Sequence, residues 1–253
     1  MIISLNGATH NMIKSLRHDN LTWTEPAHPG LFRNVDMGSD WVYMPAQQDV
    51  AGRLRNGYAH TGIYGKRYQP TLTMYYWINS QEKGVLNGKT YFLPRSVDDL
   101  MANCWIAAGV TPLHDMCFFN TYAWYDAETN AKNYLPMKGM ADTFGSFMRN
   151  TFIPAANLLR DMAEPPAKVA LVVPEDISYY SEKDWNYYRV RYQWLRALSY
   201  HNVHYDVVYG EKLRKDGLGQ YHTLIVPMRS KASKFAHEQL MKASKNAEIV
   251  VDS

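Results

Sequence analysis

Val169-Ala170-Leu171-Val172-Val173 is an unbroken apolar run, and it follows Glu164-Pro165-Pro166-Ala167-Lys168. Two adjacent prolines end a helix and hold the backbone extended, so the apolar run reads as a buried strand that begins a new unit. The pattern then recurs downstream. Val203 to Tyr209 (VHYDVVY), Thr223 to Val226 (TLIV, closed by Pro227) and Glu248 to Asp252 (EIVVD) are further strand runs. Between them, Lys183 to Tyr200 reads as a long helix with a wide aromatic face including Trp185, Tyr188, Tyr192 and Leu195. Ala232, Ala236, Leu240 and Ala243 mark another helical stripe. Strands that alternate with helices form right-handed crossovers and a parallel sheet. The fold class is therefore α/β, with a linker at 163–168 and an open parallel sheet over 169–253.

The loops of this second unit lack catalytic signals. Open parallel sheets bind ligands at the carboxyl ends of their strands. The loop after the first strand, Pro174-Glu175-Asp176-Ile177-Ser178-Tyr179-Tyr180, has no glycine to let a pyrophosphate approach, and its acids repel phosphate. The loop after the third strand, Pro227-Met228-Arg229-Ser230, has no cysteine or serine between glycines, as a nucleophile elbow requires. The unit reads as structural or oligomerising, and no cofactor is expected.

Residues 1–162 give four strand candidates: Leu21–Glu25 (LTWTE), Val35–Tyr43 (VDMGSDWVY), Thr71–Trp77 (TLTMYYW) and Val110–Phe119 (VTPLHDMCFF). A helix lies before the last. Ser96 with Asp99 fits a capping box, Val97, Leu100, Met101, Cys104 and Ala108 form its apolar stripe, and Gly109 fits its stop. A further helix is expected over Lys138 to Met162, kinked at Pro154. Pro45–Gln69 and Tyr122–Met137 read as long loops, which on such scaffolds are usually functional.

Composition excludes several roles. A formal net charge of +3, with scattered lysines and arginines, argues against nucleic acid. No apolar run has the roughly 18 residues of a membrane span, and MIISLNGATHNMIK has neither the basic start nor the apolar core of a signal peptide. Cys104 and Cys117 lack CxxC spacing, the histidines show no metal-ligand spacing, and no metal is expected. Nineteen tyrosines and seven tryptophans are the outstanding feature. They fit either packing or a sugar-binding cleft, since aromatic faces stack on the C–H face of a pyranose.

Candidate site residues sit at strand ends. Glu25 closes LTWTE, Asp36 and Asp40 flank Gly38, His114 and Asp115 lie in TPLHDM, and Trp124 follows the last strand candidate. Glycoside hydrolysis needs two carboxyl groups, and a barrel builds its active site from carboxyl strand ends. Each of these residues also has a structural reading as a turn, cap or packing group.

KVALVVPED, VHYDVVYGEKL, GQYHTLIVPM and AEIVVDS together resemble the domain that follows the catalytic barrel in family 42 β-galactosidases. The resemblance implies an accessory domain like class I glutamine amidotransferases, without their catalytic residues, that supports a trimer. The first unit resembles the second half of the same enzymes' (β/α)8 TIM barrel, with LTWTEP, VDMGSDWVY, TLTMYYW and FFNTYAWYD as strands five to eight. The implied function is glycoside hydrolysis on a carbohydrate substrate, with Glu25, Asp36 and Asp40 as cleft carboxylates. Trp41, Tyr43, Trp77 and Trp124 would contact sugar. Two departures stand out. The family's acid/base glutamate lies before the matching region, and its strand-seven nucleophile has no counterpart in Met74-Tyr75-Tyr76-Trp77-Ile78-Asn79. The alternative is a non-catalytic carbohydrate-binding or assembly protein on the same scaffold. A flavodoxin- or amidotransferase-like regulatory enzyme is a third reading that the loops oppose. Half a barrel leaves open edges, so 1–253 is expected to be a piece of a longer polypeptide.

Overall fold

A computed structural model describes residues 4–6, 37–42, 47–62, 65, 67–73, 75–79, 90–111, 116–119, 142–160, 162, 164–173, 185–227 and 232–252. The first sheet is four-stranded and wholly parallel. Its strands are β1 (Ser4–Asn6), β2 (Met37–Val42), β3 (Arg67–Thr73) and β6 (Cys117–Phe119), and they lie side by side in chain order. Helix α1 (Gln47–Gly62) connects β2 to β3, and α2 (Val97–Val110) precedes β6. Between β3 and α2 the chain makes a separate antiparallel ribbon of β4 (Tyr75–Asn79) and β5 (Thr90–Pro94).

Three expectations for this unit need correction, one strand was missed, and the expected irregularity near Pro154 has a specific form. Thr71–Trp77 is not one strand: the chain leaves the parallel sheet after Thr73 and re-pairs in the ribbon from Tyr75. Pro45–Gln69 is not a loop, because it holds α1 and the start of β3. Ser4–Asn6 was missed, and it and β3 take both edges of β2. Val110 is the last residue of α2, which passes Gly109 and stops at Thr111, whose extended backbone (φ −141, ψ 146) ends the turn. Near Pro154 a π-turn over Met148–Phe152 precedes α3 (Ile153–Arg160). Proline has no N–H for the carbonyl four residues back, and wider i→i+5 bonding takes up the register.

The core of the first unit shows why these helices form. Val50 and Leu54 of α1, Leu100, Cys104 and Ala107 of α2, and Tyr68 and Leu72 of β3 are buried together with Phe144 and Phe152. Helical i, i+4 spacing and strand i, i+4 spacing each bring one face to this core. Ser96 caps α2, its Oγ accepting the Asp99 N–H at 3.1 Å. That part of the expected capping box is present.

The second sheet is also four-stranded and parallel. It comprises β7 (Val169–Val173), β8 (Tyr205–Tyr209), β9 (Thr223–Pro227) and β10 (Glu248–Asp252), in the order β10-β9-β7-β8. Helices α4 (Trp185–Tyr200), α5 (Gly210–Asp216) and α6 (Lys234–Ala243) alternate with them. Leu171, Val173, Val207 and Tyr209 pack with Leu195 and Leu198 of α4 on one face. Ala170, Val172, Val208, Leu224 and Val226 pack with Leu213 of α5 and Ala236 and Leu240 of α6 on the other. Burial on both faces is why these strands read as continuous apolar runs.

The two units share a layer. Helix α1 packs on α2 within the first unit, and on α4 and β8 of the second. A Cβ added at Gly52 of α1 would lie 3.1 Å from Cβ of Leu195 on α4, so the missing side chain sets the closeness of this crossing.

Candidate functional site

Because the strands of the first sheet are parallel, their carboxyl ends (Asn6, Val42, Thr73 and Phe119) all lie on one side. This is the side where α/β folds place their ligands. Two of the expected site residues fall in the second half of β2. Asp40 stands opposite Pro70, and Trp41 opposite Thr71, which in turn stands opposite Cys117. Trp77 is not on a strand of the parallel sheet. It lies in β4, opposite Phe92 of β5. Glu25, Asp36, Tyr43, His114, Asp115 and Trp124 lie outside the described residues. The structure therefore brings Asp40 and Trp41 to the expected end of the sheet, and sets Trp77 on a ribbon that rises from the same end.

Arg95, which follows β5, is buried, and its Nη1 donates to Oδ2 of Asp99 at 3.1 Å. Buried, hydrogen-bonded ion pairs of this kind are costly to break on one side. Together with the Ser96 cap, this pair ties the exit of the ribbon to the first turn of α2.

A second polar cluster lies where α1 meets β8, and sequence reasoning missed it. Nη1 of Arg55 donates to the Tyr205 carbonyl at 3.1 Å and stands 3.5 Å from Oε1 of Glu164. His204 reaches the same carboxylate through Nδ1 at 3.4 Å, and its Nε2–H donates to the Pro165 carbonyl at 2.8 Å. The Tyr221 hydroxyl donates to Oδ2 of Asp206 at 2.6 Å, with Nζ of Lys212 at 3.4 Å from the same oxygen. The hydroxyl of Tyr209 donates to Oδ1 of Asn56 on α1. Burial, then the Asp206 hydrogen bond, pushes the Tyr221 phenol up. Burial, then the carboxylates of Glu164 and Asp206, does the same for Tyr58. A groove lined by Arg55, Tyr58, Glu164, Tyr205, Asp206 and Lys212 has a volume of about 140 Å³. That is well below the roughly 300–1,000 Å³ of small-molecule sites. With Arg55 paired to Glu164 and Lys212 to Asp206, the groove reads as the joint between the units. The only sequence signal for it was the polar content of RLRNGYAH within a stretch that carries two core positions, Val50 and Leu54.

Cys104 is buried, and burial pushes its thiol up to about 12. This agrees with the reading of Cys104 as a small apolar residue. Among the described residues no group of three or more His, Cys, Asp or Glu side chains could hold a metal, and no helix is long and apolar enough to cross a membrane.

No family model matches the chain, and no curated protein matches it. Among solved structures, the crystal structure of β-galactosidase from the psychrophilic Marinomonas ef1 is similar, with a TM-score of 0.54 and 12% sequence identity. The similarity covers 90% of this chain and 37% of that one. At this identity it shows a shared fold of the kind found in that glycoside hydrolase. The chain spans little more than a third of the β-galactosidase's length.

Proposed function

We propose that this chain is part of a β-galactosidase-like glycoside hydrolase of the family 42 kind. In this reading residues 1–162 are the second half of a (β/α)8 barrel, and residues 169–253 are a flavodoxin-like, amidotransferase-like accessory domain that serves a homotrimer. The observation that carries the reading is the fold likeness to a β-galactosidase over 90% of the chain, which takes in both units together. Two features of the topology support it. The first sheet runs in chain order, with α1 between β2 and β3 and α2 before β6, as in successive barrel strands. The second sheet, numbered by its own strands, has the order 2-1-3-4 of flavodoxin-like sheets.

Carbohydrate is the substrate, bound at the carboxyl ends of β1, β2, β3 and β6. Glu25, Asp36 and Asp40 are the cleft carboxylates, and Trp41, Tyr43, Trp77 and Trp124 the sugar-contacting aromatics, with His114 and Asp115 beside them. A retaining mechanism needs its two carboxyl groups about 5–5.5 Å apart.

The test is turnover of a nitrophenyl glycoside panel by the full polypeptide and by Glu25→Gln, Asp36→Asn and Asp40→Asn. Loss of a catalytic carboxyl should lower kcat by about a thousandfold, roughly 4 kcal/mol of barrel-site stabilisation. Unchanged kcat in all three variants rules these residues out as the catalytic pair. One observation favours a second reading, a non-catalytic carbohydrate-binding protein on this scaffold. Between Thr71 and Gln81 the chain has no carboxylate where the family resemblance expects a nucleophile. Saturable sugar binding without turnover of any glycoside would select it.

A further inference from the structure

His204 immediately precedes β8, and both of its ring nitrogens face the segment that connects the two units. Nε2 lies 2.8 Å from the Pro165 carbonyl oxygen, and Nδ1 lies 3.4 Å from Oε1 of Glu164. A carbonyl can only accept a hydrogen bond, and so can an ionised carboxylate. A neutral imidazole carries a single N–H. With that proton on Nε2 for Pro165, the Nδ1 lone pair would point at the Glu164 carboxylate. Only the imidazolium, which donates from both nitrogens, satisfies this geometry.

The Glu164 carboxylate is shared. Nη1 of Arg55 on α1 stands 3.5 Å from the same oxygen, and that nitrogen also donates to the Tyr205 carbonyl of β8. The connecting segment is thus tied to α1 through Arg55 and to the start of β8 through His204. The other titratable and charged groups around this carboxylate are Tyr58 of α1, Asp206 of β8, and Lys212 and Asp216 of α5, which line the groove beside Glu164. His222, ahead of β9, lies at the same end of the sheet, with its backbone N–H on the Lys168 carbonyl. Lysine, arginine, tyrosine and carboxyl groups ordinarily keep one charge state between about pH 6 and 8, whereas histidine changes its charge there.

We propose that His204 is an acid-tightened clasp on the joint between the two units. Protonated, it holds both Glu164 and Pro165 at the start of β8. On losing the Nδ1 proton it releases the carboxylate and keeps the carbonyl. A proton that strengthens a native contact stabilises the native joint at the acid end of the window, and that contribution is lost as pH rises through it. The two side chains are 34% and 45% exposed, so the contact biases the joint by a few-fold and does not lock it. The test is a double-mutant cycle of His204→Gln and Glu164→Gln in the full polypeptide, read as the unfolding equilibrium constant in urea at about pH 6 and about pH 8. The coupling is about threefold or more at the acid pH and less than about 1.5-fold at the alkaline one. The same cycle in a His222→Gln background gives the same values, because the neighbouring histidine takes no part. A second readout needs no variant. Ring-nitrogen NMR of the unmodified polypeptide shows the His204 proton leaving from Nδ1 and the neutral form keeping its proton on Nε2, where the Pro165 carbonyl holds it. Coupling that does not fall from the acid to the alkaline pH, a fall that disappears with His222, or a neutral form protonated on Nδ1 overturns the clasp.

Discussion

Individual side chains show how burial governs this molecule's chemistry. Cys104 sits in the core between α1 and α2 with its thiol pushed up to about 12, so at pH 8 almost none of it is the reactive thiolate. In a Cys117→Ser background, a thiol reagent should label Cys104 only when the protein unfolds, with the labelling rate tracking denaturant. Prompt labelling in buffer would contradict the buried placement. The tyrosines at the joint carry a pH signature. Burial raises the phenol pKa of Tyr58, Tyr205 and Tyr221 above the unfolded value. A raised folded pKa means the native state holds its protons more tightly than the unfolded one. The stabilisation is complete below about pH 10 and is lost as pH rises beyond it. Urea midpoints should therefore fall as pH rises above about 10, and less steeply in a variant with all three changed to phenylalanine. Equal slopes would remove these groups from the account. Tyr221→Phe alone strips Asp206 of a 2.6 Å hydrogen bond, and should cost about 1–2 kcal/mol in equilibrium unfolding at neutral pH.

At the scale of elements, the crossing of α1 and α4 is the sharpest structural prediction. Alanine is ordinarily a better helix former than glycine by about 0.8–1 kcal/mol. At Gly52 the added Cβ would lie 3.1 Å from Cβ of Leu195 and 3.4 Å from its backbone carbonyl, and backbone gives way poorly. Gly52→Ala should therefore destabilise by about 1–3 kcal/mol, the usual cost of overpacking, despite its helix propensity. Denaturant unfolding checks the sign, and stabilisation would show that the helices move apart freely. The elements also explain what was legible. Strands β7, β8 and β9 were readable because both their faces are buried, and α2 because Ser96 and its apolar stripe agree. Helix α1 was not, since Gly52, Arg53, Asn56 and Gly57 interrupt its apolar positions, and among the described residues Val50 and Leu54 are its fully buried apolar ones. The continuous strand-like pattern of TLTMYYW hid the change of partner between Thr73 and Tyr75, because periodicity does not register which partner strand a residue meets. The candidate site was legible only as a location. Asp40 and Trp41 lie near a carboxyl strand end as expected, but nothing in single-residue spacing pairs one carboxylate with another across the sheet.

For the whole molecule, α1 decides how the two sheets behave together. It contributes Val50 and Leu54 to the first core, and through Arg55 and Asn56 it holds Tyr205 and Tyr209 of the second sheet. Glu164 and Pro165 of the connecting segment are held by Arg55 and His204, which is not the behaviour of a loose tether. Calorimetric unfolding should give one transition, with Asn56→Ala and Gly52→Ala lowering both units together. Two resolved transitions would mean that the units fold separately. The second parallel sheet is thus tied to the first through α1 and the connecting segment. The account as a whole is tested most directly by a crystal structure of the full polypeptide with bound galactose. It predicts further parallel strands paired to β1 and to β6, closing a barrel, with the sugar at the carboxyl strand ends beside Trp77. Edges of β1 and β6 left without strand partners, or galactose bound only elsewhere, would contradict it.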